Sequence, residues 1–179
     1  MAIDRIDLPQ SGNNRDFCMS DDTYTLIGSV RSIKCFAYEG KVTKTIVFVL
    51  PKNNVSGYSV CEIELSQINK NVYEKSVAWR VDHVKVDQRF QGYGLVPRFY
   101  KFIMKKLDII LEAGTCQSPG GRYIWAQLSK VKDVTVFAKS VNSKAYSVEC
   151  DDSDRELVID GPYQLYDGSS NIRLFAAIA

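Results

Sequence analysis

An α+β domain built on a mostly antiparallel central sheet is the fold class this sequence predicts, and three observations carry it. The first half of the chain is a succession of β-branched and aromatic runs separated by short turn signals. At Gly92 and Gly94 the apolar period then changes from alternation to helical spacing. Beyond the helix the strand-like pattern returns, so the expected order is β, a long helix after the fourth strand, β, a shorter helix after the fifth strand, and β.

Residues 1–22, with Pro9, Gly12, Asn13 and Asn14, carry no period and read as a loosely ordered arm. Residues 23–179 read as a single domain, since no repeat, low-complexity tract or linker divides them. "TYTLIGSVRSIKCFAYEG" predicts the first strand, closed by Glu39 and Gly40. "KTIVFVLPK" predicts the second, and "YSVCEIEL" a third in which Val60, Glu62 and Glu64 alternate with Cys61, Ile63 and Leu65. "KSVAWRVDHVKV" is the fourth; a regular pleat puts Trp79, Val81, His83 and Lys85 on one face and Arg80, Asp82, Val84 and Val86 on the other.

After the glycines, Leu95, Phe99, Ile103, Leu107 and Ile110 recur at helical spacing, Pro97 sits in the first turn where proline is tolerated, and Gly114 closes the segment. "SPGGRYIWAQL" then predicts a turn and fifth strand, "KDVTVFAKSVNSK" a shorter helix, and "AYSVEC", "ELVID" and "IRLFAAIA" closing strands.

Composition excludes several functions. The 23 Lys and Arg exceed the 21 Asp and Glu by only two, so charge gives no support for nucleic-acid binding. Five cysteines without a C-x-x-C pair, and a single histidine, His83, argue against a zinc site or a disulfide framework; no metal site is expected, and reduced thiols in a cytoplasmic protein are. No apolar run approaches the roughly 18 residues of a membrane span.

The chemistry concentrates in "RFQGYG", Arg89 to Gly94, where a strand hands over to a helix. The first N–H groups of a helix lack intrahelical partners and carry the positive end of its dipole, so they can cradle a phosphate where no side chain blocks the approach. Gly92 and Gly94 remove those side chains, and Arg89 and Lys85 bring charge nearby. A Rossmann fingerprint does not fit, because Pro97 occupies its third glycine position and the preceding chain is all β; the Walker pattern G-x-x-x-x-G-K-[ST] is absent.

The stretch "VDHVKVDQRFQGYGLVPRFYKFIMKKL" resembles the acetyl-CoA-binding core of the GNAT family, the Gcn5-related N-acetyltransferases. Val86, Phe90, Gln91, Gly92 and Gly94 match its strand-end pattern, Arg89 matches the Q/R-x-x-G-x-G/A form, and Gln88 replaces a common proline. The resemblance implies a GNAT-like fold with an acetyl-CoA co-substrate. Its pyrophosphate would lie on residues 89–95, including Tyr93 and Leu95, and its pantetheine arm along Val84, Lys85 and Val86. It also implies direct acetyl transfer to a primary amine, with fourth and fifth strands splayed to admit that arm. Asp82, four residues before Val86, is the first candidate base; Glu62 and Glu64 on the preceding strand are others, and Tyr146 is the candidate acid for the departing thiolate.

Two departures qualify what the resemblance implies. "FAYEGKVTK" leaves room only for a turn where the family carries one or two helices beside the acceptor, so the N-terminal helices are reduced and an acceptor that brings its own surface, such as a protein, is favoured. The family's later tyrosine signature has no clean equivalent in "DVTVFAKSVNSKAYSVEC". A degenerate GNAT-fold binding or inhibitory protein without catalytic activity is therefore the alternative. The acceptor's identity and the oligomeric state stay open.

Overall fold

In a computed structural model the chain is described over residues 16–68, 77–114, 118–140 and 172–179. Alternating runs become strands: β1 (Asp16–Cys18), β2 (Thr25–Val30), β3 (Ile33–Glu39), β4 (Thr43–Pro51), β5 (Ser56–Gln67) and β6 (Val77–Val86). Then come α1 (Leu95–Leu107), β7 (Ile109–Glu112), α2 (Pro119–Leu128), β8 (Val134–Ser140) and β9 (Ile172–Ile178). The nine strands form one sheet in the order β2-β3-β4-β5-β6-β7-β9-β8, with β1 pairing β5. Every pairing is antiparallel except β6 with β7.

The fold is thus mixed α+β with a mostly antiparallel sheet and, among the described residues, two α-helices. The connection from β3 to β4 is the expected turn, closed by the Gly40 N–H donating to Thr43 O at 2.8 Å.

Four assignments move. The first expected strand is two, β2 and β3, because Arg31 adopts the left-handed region (φ 56°) and reverses the chain. The long helix stops at Leu107, capped by Asp108 (φ 51°), whose N–H donates to Met104 O, and Ile109–Glu112 is a strand. All four residues of β7 are buried, and a short unbroken apolar run has no period to separate helix from strand. "RYIWAQL", expected as the fifth strand, is helix α2: Ser118 accepts from the Gly121 N–H at 3.2 Å, Pro119 opens the first turn, and Trp125 and Leu128 bury one face. "DVTVFAKS", expected as helix, is strand β8, paired along its length with β9; its β-branched residues Val134, Thr135 and Val136 fit a pleat better than a helix. The strands expected at "AYSVEC" and "ELVID" lie outside the described residues, and "IRLFAAIA" forms β9.

Both helices cover one face of the sheet. α1 buries Leu95, Val96, Phe99, Tyr100, Ile103 and Met104 and leaves Arg98, Lys105 and Lys106 outside. Phe99 stacks on Phe48 of β4 with ring centroids 3.8 Å apart, at the centre of a core shared with Ile46, Ile63 and Leu65. Smaller clusters occupy the other face, Phe36 with Val47 and Val49 near one end and Ala78 with Ile110, Phe137 and Phe175 near the other. Replacing Phe99 by Ala should destabilise the protein by about 3–5 kcal/mol in chemical denaturation. A loss below about 1 kcal/mol would mean that α1 is not held to the sheet through this stack.

Candidate functional site

β6 and β7 run parallel for four rungs, Val77–Ile109 to Arg80–Glu112, and then part. The cause is local to Gly114. A Cβ there would lie 2.8 Å from Val81 O, so the chain leaves β6 at a distance only glycine permits and passes on towards α2. From Val81 onward β6 keeps β5 on one side, through Val86, and among the described residues has no strand on the other. A groove of about 650 Å³ opens there between β6, the start of α1 and the first turns of α2. Residues expected to lie along a slot, Val84 and Val86, line it, as do Phe90, Gln91, Gly92, Gly94 and Leu95. The slot flanks β6 and α2, however, and not two strands at "RVDHVKV" and "RYIWAQL".

The loop between β6 and α1 is built to hold its shape. Asp87 accepts from the Arg89 backbone N–H at 3.0 Å and grips its guanidinium through Nε (2.9 Å) and Nη2 (3.0 Å). The Phe90 N–H donates to Asp87 O at 2.9 Å, buried Phe90 anchors the turn, and Gln91 Nε2 donates to Val86 O at 3.1 Å. Arg89 lies over the Tyr58 ring, 4.8 Å from its centroid, with a side chain only 9% exposed. Its hydrogen bond to Asp87 holds that carboxyl below the usual carboxylate range. The guanidinium is therefore committed within the loop, to Asp87 and the Tyr58 ring.

The loop backbone is open. Gly92 (φ 81°) and Gly94 (φ 63°) both occupy the left-handed region, and a Cβ on either would meet nothing within 4 Å. Gly94 caps α1 without any side-chain bond, and among the described residues the N–H groups of Gly92 to Val96 have no acceptor. Tyr93 is exposed beside them.

The pleat of β6 breaks at Asp82. Glu64 of β5 pairs with His83 and Leu65 with Val81, so Asp82 is the extra residue of a β-bulge. Val81 and Val84, odd and even, consequently both pack on the helix-covered core, whereas a regular pleat would separate them. His83 and Lys85 are exposed, Lys85 opposite Glu62. The expected separation of Asp82 from His83 across the sheet thus gives way to a rung where Glu64, Asp82 and His83, all exposed, meet. Tyr146, Cys116 and Cys150 lie outside the described residues.

Three groups at the site, Tyr100, Trp125 and Glu112, are not among the candidates the sequence offers, and Gly114, expected to close the helix, lies instead at the parting of β6 and β7. Tyr100 lines the groove from the second turn of α1, and Trp125 faces it from α2, but both have the spacing of core residues. Glu112, fully buried at the last β6–β7 rung, accepts from Arg80 Nη2 at 3.1 Å and Nε at 3.3 Å and has Arg173 Nε 3.9 Å away, all through Oε1. Among the described residues its Oε2 has no partner. Burial pushes the Glu112 carboxyl above the ordinary glutamate range, against the pull of Arg80 and Arg173 and with a smaller push from Asp82.

No group of His, Cys, Asp or Glu among the described residues is arranged to hold a metal ion, and no described helix is long and apolar enough to cross a membrane. No protein-family model matches the sequence, and no curated protein matches it either. A solved structure described as "The crystal structure of KacTA-DNA complex" is similar over 76% of this chain and 69% of that chain, at 14% identity and a TM-score of 0.37.

The buried carboxyl gives the pH dependence a sign. A glutamate that titrates higher when folded than when unfolded favours the folded state at low pH, and that contribution is lost as pH rises from the ordinary glutamate range through the folded value. Glu112→Gln removes this titration, so the difference in stability between wild type and variant, followed by denaturation from pH 4 upward on the order of the unperturbed range, should change in the variant's favour as pH increases. A constant difference would mean that Glu112 titrates alike in both states.

Proposed function

We propose that this chain is an acetyl-CoA-dependent N-acetyltransferase of the GNAT type, acting on a primary amine. The single observation that carries the proposal is the groove that begins where β7 leaves β6 at Gly114 and ends on the unobstructed amides of Gly92 to Val96. A phosphate needs such amides at a helix start, and the two glycines supply the space a Cβ would fill. The side of β6 that pairs with no described strand beyond Arg80 offers backbone groups to an extended, amide-bearing chain, as an edge strand does to a peptide. These features fit coenzyme A.

When bound, acetyl-CoA supplies an acetyl thioester that an amine nitrogen can attack. The protein's own residues then have separate tasks. The loop amides fix one end of the ligand, and the groove walls exclude water from the remainder. Asp82, raised from the regular pleat by the bulge, takes a proton from the arriving ammonium, with Glu64 on the same rung as its partner or substitute. Between β3 and β4 the described chain supplies only a turn, and an acceptor that brings its own surface, such as a protein amine, is the class this suits.

A second reading, a GNAT-type protein that binds the ligand without turning it over, is favoured by the same short turn, since the β3–β4 connection itself supplies no helix to wall a small acceptor. The experiments separate the two. Gly92→Val should abolish coenzyme A binding in calorimetry while the protein stays folded, because its Cβ enters the space kept clear for the phosphate. Binding equal to wild type would remove the cradle. Asp82→Asn should reduce acetylation of amine-bearing peptides by at least about tenfold with coenzyme A affinity unchanged. Wild-type binding without acetylation of any peptide, polyamine or aminoglycoside would support the second reading.

A further inference from the structure

Tyr100 is the least expected group in the groove. It sits in the second turn of α1, is 1% exposed, and packs its ring against Trp125 of α2 with centroids 6.0 Å apart. Its row of the core includes Cys61 of β5, which pairs with Val86 of β6. Burial raises its hydroxyl far above the ordinary tyrosine range, with a smaller push from Cys61, so it stays neutral and keeps its proton to donate.

Yet no described residue accepts that proton. The hydroxyl is not enclosed, since among the described residues Glu112 Oε2 is the one buried side-chain oxygen or nitrogen without a partner, so the trace of exposure that Tyr100 keeps includes its hydroxyl oxygen. Tyr100 is a wall of the groove. It shares that wall with both ends of the site: the uncapped amides lie about a turn earlier on the same helix, and Val81 and Gly114, where β6 parts from β7, line the same groove. A ligand that fills the groove meets Tyr100.

We propose that the Tyr100 hydroxyl donates a hydrogen bond to an oxygen of the pantetheine arm and so selects a ligand with a polar, amide-bearing chain behind its phosphates. The assignment rests on the coenzyme A proposal above. It makes Tyr100 a specificity-determining residue for the arm and gives it no part in holding the nucleotide end, which the loop amides serve.

The test is calorimetry of wild type and Tyr100→Phe with two probes, coenzyme A and adenosine 3',5'-bisphosphate, which has the nucleotide but no arm. The ring is retained, so the variant should fold with a Tm no lower than wild type. Its Kd for coenzyme A should rise roughly three- to tenfold, as expected for one lost neutral hydrogen bond, while its Kd for the bisphosphate stays that of wild type. Unchanged coenzyme A affinity, or an equal loss for both probes, overturns the assignment and leaves the coenzyme A proposal standing. Wild type that binds neither probe overturns both.

Discussion

The structure depends on where β6 and β7 stop pairing. Parallel strands are ordinarily covered on both edges, because a buried N–H or C=O without a partner is costly. Here the pairing ends at Arg80–Glu112, and the next contact is the approach of Gly114 to Val81 O. The last rung is held by a charge pair whose carboxylate is fully buried, with a second guanidinium from β9 nearby. Three strands are thereby tied at the point from which the groove diverges. Charge burial of this kind does little for net stability. Its effect here is positional, since it marks the rung beyond which β6, among the described residues, pairs with β5 alone.

The two faces of the sheet divide the remaining work. The helix-covered face supplies a rigid core, with Phe48 and Phe99 stacked at its centre, and α1 leaves that core pointing its first turn at the glycine loop. The loop needs little from its charged side chains towards a ligand, because Asp87 and Arg89 spend their charges on each other and on Tyr58. On the other face the bulge at Asp82 alters which residues share a side, and brings Glu64, Asp82 and His83 to one rung. A single added residue in one strand thus decides which of these groups share a rung.

The sequence by itself determined the strand-rich first half, the turn in place of helices between β3 and β4, the start of α1 and the glycine loop. Each rests on a local rule: alternation, a first-turn proline, or the absence of a Cβ. It also placed Val84, Val86 and residues 90–95 in one neighbourhood, because the chain runs continuously through them. What followed Leu107 was less legible. Ile109–Glu112 are buried on every side, so they show no period, while the Ser118–Pro119 helix start was readable but outweighed by the aromatic content of "RYIWAQL". Only the tertiary structure decided that β7 leaves β6 at Gly114, that Asp82 stands in a bulge, that Arg89 is engaged within its loop, and that Tyr100 and Glu112 lie at the groove and its apex. Each of these is set by a partner far away in the chain, Val81 for Gly114, Glu64 for Asp82, Tyr58 for Arg89, Trp125 for Tyr100 and Arg80 for Glu112, and spacing along one strand or helix does not encode the position of another.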